Sequence, residues 1–332
     1  MSEIKAGTGG DRCVPYAERK GNESIVYFTR DLSPEGLMRI YERVNGAITG
    51  KVAVKAHTGE PKGPNIIPPA WIRQFLAKEL PEARVVETNT YYEGGRYTTA
   101  EHRKTLEING WADFTTVDIM DEDGTALLPV KGGKWFTEMS VGDHLLQYDS
   151  LVALTHFKGH MMGGFGGSNK NIGIGCADGR VGKKWIHTAE GSDDMWSIAE
   201  EELMERIAES TKATIDFFGK HTCYINVLRN ISVDCDCTGV EATPVVTPNI
   251  GIVASTDILA ADQAGADLLH ALTPKDRAAI EERISSRHGY RQLSYMKELG
   301  MGNDRYVLID IDNDDARILP GDAVNGVRPF PG

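Results

Sequence analysis

Short runs of β-branched and aliphatic residues alternate along this chain with segments whose apolar residues recur at helical spacing, a pattern that admits few folds. Residues 24–29 read as a first strand. Ser33 can cap a following helix with Pro34 in its first turn, and Leu37, Ile40, Tyr41, Val44 and Ile48 then keep helical spacing up to a buried strand over 52–56. The alternation predicts helices over 69–80 and 99–109, with strands over 84–87, 115–119 and 150–155. A long helix over 194–218 is expected from Trp196, Leu203, Ile207 and Ile215, with Met195 and Met204 on its core face. Strands over 223–228 and 250–254, a helix opening at 255–257, two further helices and a strand over 306–311 complete the pattern. The expected class is α/β, a three-layer fold whose largely parallel or mixed sheet is covered by helices on both faces. Ligands of such sheets bind at the carboxyl ends of the strands, so the loops after Ala56, Glu87, Thr155 and Ala254 are expected to converge on one crevice.

The 332 residues suffice for a large core without disulfides or structural metals. Residues 1–23 are polar and glycine-rich and read as a loose arm, 24–315 as a single large domain that could divide into lobes 24–150 and 151–315, and 316–332 as a tail. Asp310, Asp312, Asp314 and Asp315 lack the order of a calcium loop and belong to this solvated end. A net charge of −12 argues against broad nucleic-acid or anionic-membrane binding, which needs extended basic surfaces. No signal peptide or spanning apolar run is visible, so the expected location is cytoplasmic. Five cysteines, an odd number in a large chain, fit reduced thiols or metal ligands better than a disulfide framework.

Positive charge is concentrated locally. Residues 155–184 hold nine glycines, two histidines, one cysteine, five Lys or Arg and a single acid, with Phe157, Met161, Met162, Phe165, Ile172 and Ile174 interleaved. Glycines let backbone N–H groups approach a ligand and lysines supply point charges, so the segment is a candidate anion site; a solvated loop would not need the apolar residues. Lys158 and Lys170 suit a phosphate, carboxylate or enolate-like oxygen, and Ser168 and Asn169 follow the glycine run as substrate-binding candidates. Neither Walker A spacing nor a dinucleotide fingerprint is present. His156 and His160 could ligate a metal, against the plain alternative of neutral hydrogen-bonding histidines.

Two further constellations carry chemistry. Cys235 and Cys237, in Asp234-Cys235-Asp236-Cys237, could hold a metal or iron–sulfur species with ligands recruited from Cys176, His156 or His160; otherwise they are two reduced thiols beside a turn. At the ends of the early strands, His57 or Glu60 could act as general base while Thr88, Asn89, Tyr92 and Arg96 bind substrate, roles that compete with simple loop capping.

The segments VKAHTGE (54–60), ETNTYYEGGR (87–96), THFKGHMMGGFGGSNKNIGIGCA (155–177), GKKWIHT (182–188), YINVLRNISVDCDC (224–237) and NIGIVASTDILAADQAGADLL (249–269) occur in an order that resembles the domain of unknown function 362 family. Many members carry a ferredoxin-like insertion for iron–sulfur clusters. Here 182–218 contains no cysteine, so the chain resembles a member without that module. The resemblance implies a shared pocket from His57, Asn89, His156, Lys158, His160, Lys170, Cys176, His187, Cys235 and Cys237. Three functions compete: a metal-dependent or redox-associated enzyme acting on a small anionic substrate, with His57, Lys158 and Lys170 as its catalytic candidates; a metal-free enzyme or binding protein for a phosphorylated or carboxylated ligand; and a cofactor or metal assembly scaffold.

Overall fold

The computed structural model describes residues 12, 13, 18 and 20–330. Strand β1 (Ser24–Thr29) leads into α1 (Pro34–Tyr41), where Ser33 Oγ accepts the Gly36 N–H and Pro34 stands in the first turn, as the sequence predicts. Then follow β2 (Val52–Lys55), α2 (Pro69–Glu79), β3 (Arg84–Glu87) and α3 (Thr99–Ile108), the last opened by a reciprocal capping pair of Thr98 and Glu101. After β4 (Asp118–Ile119) come a hairpin of β5 (Thr125–Pro129) and β6 (Glu138–Gly142) and the central strand β7 (Ser150–His156). The glycine-rich segment supplies a small hairpin, β8 (Lys158–His160) with β9 (Gly164–Gly166), and two short helices, α4 (Ser168–Gly175) and α5 (Gly182–His187). The chain continues through α6 (Glu200–Phe218), β10 (Thr222–Leu228), β11 (Gly251–Ser255), α7 (Ile258–Ala271), α8 (Pro274–Ser286), α9 (Arg291–Glu298), β12 (Tyr306–Asp310), β13 (Ala316–Ile318) and α10 (Pro320–Val324).

Nine strands form one mixed, mostly parallel sheet in the order β13-β12-β1-β11-β10-β7-β2-β3-β4. From β10 to β4 every neighbouring pair is parallel. Alternate residues of each strand feed opposite faces. Val52, Val54, Val152, Leu154, Ile225 and Val227 pack with Leu37, Ile72, Phe75 and Leu106 from α1 to α3. Ala53, Leu151, Ala153 and Tyr224 pack on the other side with Ile172, Leu203, Ile207, Leu259 and Met296 from α4, α6, α7 and α9. Two cores flanking one sheet give the three-layer α/β fold that the alternation predicts.

Several expectations change. The long helix begins at Glu200 rather than at 194; Trp196 is 59% exposed and Met195 only half-buried, because 189–199 is an irregular strap outside the helix. β11 runs antiparallel to β10, so the loop after Ser255 leaves the sheet at the end opposite the loops after β2, β3, β7 and β10. There Asp257 caps α7 and accepts from Ser24 Oγ and the Asn303 N–H. The loop after Ala254 therefore does not join the crevice. Of the arm expected over 1–23, residues 1–11, 14–17 and 19 lie outside the described residues, as do 331 and 332 at the far end; Cys13 is buried and bridges to Tyr306. Residues read as a tail contribute β13 and α10, and Asp312 and Asp315 pair with Arg39 and Arg43 of the first helical segment. Among the described residues no helix is long and apolar enough to cross a membrane.

Candidate functional site

The carboxyl ends of β2, β3, β7 and β10 open onto a cavity of about 410 Å³. Its wall includes His57, Tyr92, Arg96, Lys158, His160, Lys170, Cys235 and Cys237, so the structure brings these expected residues together. Glu60, Asn89, Ser168, Asn169, Cys176 and His156 do not line it. Glu60 accepts from Tyr92 Oη (2.7 Å) and Arg96 Nε (2.8 Å), holding those two in place. The Asn89 side chain bonds Thr99 and His102, Ser168 Oγ bonds Asn226, and Asn169 Nδ2 bonds Gln292. Cys176 is fully buried at the end of α4, where burial pushes its thiol up to about 12.

His156 lies beneath the wall. Its Nδ1 is 2.9 Å from both carboxylate oxygens of Asp236, and its Nε2 is 2.8 Å from the Arg229 carbonyl. Both nitrogens face protein oxygens rather than the cavity, so neither is offered to a metal there. Lys158 Nζ completes this cluster at 3.0 Å from Asp236. Burial alone would raise Asp236, but His156 and Lys158 hold it well below the usual carboxylate range. The cluster fixes the turn between two cysteines.

That turn centres on Cys235. The Cys237 N–H points at Cys235 Sγ (3.4 Å), and the side chains of Cys237, His160 and His57 are the neighbours that favour its thiolate. The backbone sets the tautomers of both rings. His160 Nδ1 accepts the N–H groups of Gly163 (2.8 Å) and Met162 (3.2 Å), and His57 Nδ1 accepts that of Gly59 (3.0 Å). A backbone N–H can only donate, so each ring is neutral at Nδ1 and carries its proton on Nε2, the nitrogen left for the sulfur. Burial, with Lys170 adding to it, lowers His160 to about 4; burial and then Arg96 lower His57. The hydrogen bond from Cys237 is the first cause that holds Cys235 well below the ordinary thiol range, overriding burial, with His160 and His57 adding to it. Cys237, as the donor, moves upward.

Ligand-type atoms of His160, Cys235 and Cys237 lie within 4.8 Å of one another, a group that could hold a metal ion. The donor set fits only in part. The two thiols are available, but His160 has its lone pair on Nδ1 committed to two backbone N–H groups, whereas a ligating histidine ordinarily donates from its second nitrogen.

The cationic wall has an order of its own. Lys55 Nζ pairs with Glu87 at 2.9 Å, and Arg96 with Glu60 at 2.8 Å. Lys183 donates to Thr88 Oγ1 (2.7 Å) and the Asn89 carbonyl, and burial brings it down to about 8. Lys170, in the first turn of α4, has no hydrogen-bond acceptor or ion-pair partner among the described residues, and burial lowers it. The N–H groups of its turn are not offered to the cavity: those of Ser168 (2.7 Å) and Asn169 (2.9 Å) donate to the Asp262 carboxylate. The expected backbone anion cradle is thus filled by the protein's own acid, and Lys170 is the open cation. Gly167 permits this approach, since a Cβ there would stand 2.5 Å from Asp262 Oδ1.

Sequence reasoning missed Lys183, Asn171 and Glu241 on the wall, and it assigned Met195 and Trp196 to a helix core. The GKKWIHT segment contained Lys183, but nothing local marks which of two adjacent lysines turns inward.

Residues 52–267 match the family described as a domain of unknown function, DUF362. The chain belongs to the DUF362 family. Its match runs from β2 through the cysteine turn to most of α7, so every wall residue lies within the DUF362 region. No curated protein matches the chain. Among solved structures it is similar to the lactate racemase apoprotein from Thermoanaerobacterium thermosaccharolyticum, at 14% identity and a TM-score of 0.45, covering 75% of this chain and 57% of that one. A Thermotoga maritima protein solved by a structural genomics consortium is similar at 16% identity and a TM-score of 0.36, covering 58% and 49%. This DUF362 chain therefore spans about half the length of the structures it resembles.

Proposed function

We propose that this chain is a cysteine-centred enzyme acting on a small anionic organic substrate, with Cys235 as its nucleophile. The observation that carries this reading is what surrounds Cys235 Sγ: the Cys237 N–H at 3.4 Å, and on the same wall two imidazoles whose tautomers are locked by backbone N–H groups. A thiolate is the reactive form of cysteine, and a site that supplies several hydrogen bonds to sulfur in a buried wall stabilises it before substrate arrives. Lys170 holds the substrate's anionic group near the sulfur. The thiolate adds to an electrophilic carbon, forming the C–S bond and passing an electron pair to the substrate's heteroatom.

The 4.8 Å grouping of His160, Cys235 and Cys237 favours a second reading, a thiolate-bound metal ion. Cys235 and Cys237 would hold it, and it would supply Lewis-acid polarisation of the substrate. Iodoacetamide labelling at pH 6.5, followed by peptide mass spectrometry, tests the first reading. Cys235 should label ~10-fold or more faster than the cysteines of the urea-unfolded chain, because an ordinary thiol is almost wholly protonated at that pH. Labelling no faster than in the unfolded chain overturns it. Stoichiometric metal after anaerobic purification, lost in both Cys235→Ser and Cys237→Ser, would favour the metal.

A further inference from the structure

Above its cationic floor the cavity changes character. Met161, Met162, Ile174, Met195 and Trp196 form the rim, and Trp196 and Met195 come from the strap between α5 and α6. Trp196 is 59% exposed and Met161 37%, so apolar surface is left open to water at the mouth of a polar site. A tryptophan held in this way serves neither the core nor the helix that follows. Its position at the entrance suits contact with the part of a ligand that projects out of the cavity. On the floor, Lys158, Lys55 and Arg96 are each matched by an acid and Lys183 by oxygens of Thr88 and Asn89, so Lys170 is the ammonium left without a hydrogen-bond acceptor among the described residues. One ammonium with its donors free calls for one anionic group.

We infer that the substrate is a hydrophobic carboxylic acid, whose carboxylate pairs with Lys170 while its aromatic or branched alkyl group packs under Trp196, Met195 and Met161. This rests on the reading of the cavity as a site for a small organic anion, and it names the class. A phosphate monoester would bring a second charge for which the floor leaves no ammonium with free donors, and a small acid such as acetate would leave the rim uncovered. Specificity for the carbon skeleton then resides in the strap, and recognition of charge in α4.

Isothermal titration of the whole chain with phenylacetate, acetate, benzyl alcohol and phenyl phosphate tests the inference. Phenylacetate should bind at least tenfold more tightly than acetate, benzyl alcohol or phenyl phosphate. Trp196→Ala should weaken phenylacetate about 3- to 10-fold, as expected for losing one aromatic contact, and leave acetate unchanged. Lys170→Met should abolish binding of both acids, with circular dichroism and the unfolding midpoint confirming that the variant is folded. Equal affinity for phenylacetate and acetate, tighter binding of phenyl phosphate, or an unaltered Trp196→Ala would overturn it. These titrations do not need a reactive sulfur, so the same measurements on Cys235→Ser separate failure of the substrate class from failure of the nucleophile.

Discussion

Asp262 links the stability of this protein to the placement of its open lysine. Its carboxylate takes three donors: the Ser168 N–H and Asn226 Nδ2 (2.8 Å) on Oδ1, and the Asn169 N–H on Oδ2. Burial nevertheless raises its pKa from about 3.8 to about 6. A raised carboxyl stabilises the fold fully below the unfolded value and loses that contribution as pH rises through the folded one. Two pKa units correspond to about 3 kcal/mol, of which roughly half is already gone at pH 5 and nearly all by pH 8. Asp262→Asn removes this titration. Its Oδ1 can keep Ser168 and Asn226, but Nδ2 then faces the Asn169 N–H and leaves that donor unmatched, a cost of about 1–3 kcal/mol. The variant should therefore be less stable than the parent at pH 5, and the gap should shrink by about 1.5 kcal/mol, closing or reversing, by pH 8. Urea unfolding followed by tryptophan fluorescence at both pH values measures this. A gap that stays constant or widens with pH would refute the assignment of a burial-dominated carboxyl.

Other perturbations test neighbouring parts. Gly175→Ala should destabilise by about 3–5 kcal/mol in the same unfolding assay, because the new Cβ would stand 1.9 Å from Lys55 Cε and break its buried pair with Glu87. His156→Phe removes the Nδ1 donor from Asp236 and should lower the unfolding midpoint and slow Cys235 labelling; unchanged labelling would show that the cluster does not set the cysteine turn. Trp196→Ala should change stability by less than about 0.5 kcal/mol, since the ring is mostly in water. A large loss of stability there would mean that the ring packs far more than its exposure indicates.

Much of the scaffold was legible because strands and helices announce themselves by local periodicity. β1, β3 and α3 lie within a residue of their expected bounds, and Ser33 and Thr98 cap helices by local chemistry, whereas α1 ends at Tyr41 although apolar spacing continues to Ile48. The strap before α6 was misread because Met195 and Trp196 continue the apolar spacing of that helix, although Glu200 is where it begins. The hairpin of β8 and β9 was hidden among glycines that carry no periodic signal. For the site, residue type located the wall, since His57, Lys158, His160, Lys170, Cys235 and Cys237 do face one cavity. Type could not separate His160 from His156, four residues apart: one has a ring nitrogen fed by backbone N–H groups, the other has acceptors on both sides.

The sequence alone determined an α/β sheet, its major helices, and a concentration of lysines, histidines and thiols at strand ends, because those follow from spacing and residue chemistry along the chain. Tertiary structure decided what each group can do. Strand direction is a property of paired strands, so only the sheet could send the loop after β11 to the opposite end of the strands. Protonation and charge balance depend on neighbours distant in sequence: Asp262 fills the helix terminus beside Lys170 from 94 residues away, and Asp236 meets His156 across 80. Hydrogen bonds and ion pairs act over a few ångströms of space, and a linear pattern does not encode which residues share them.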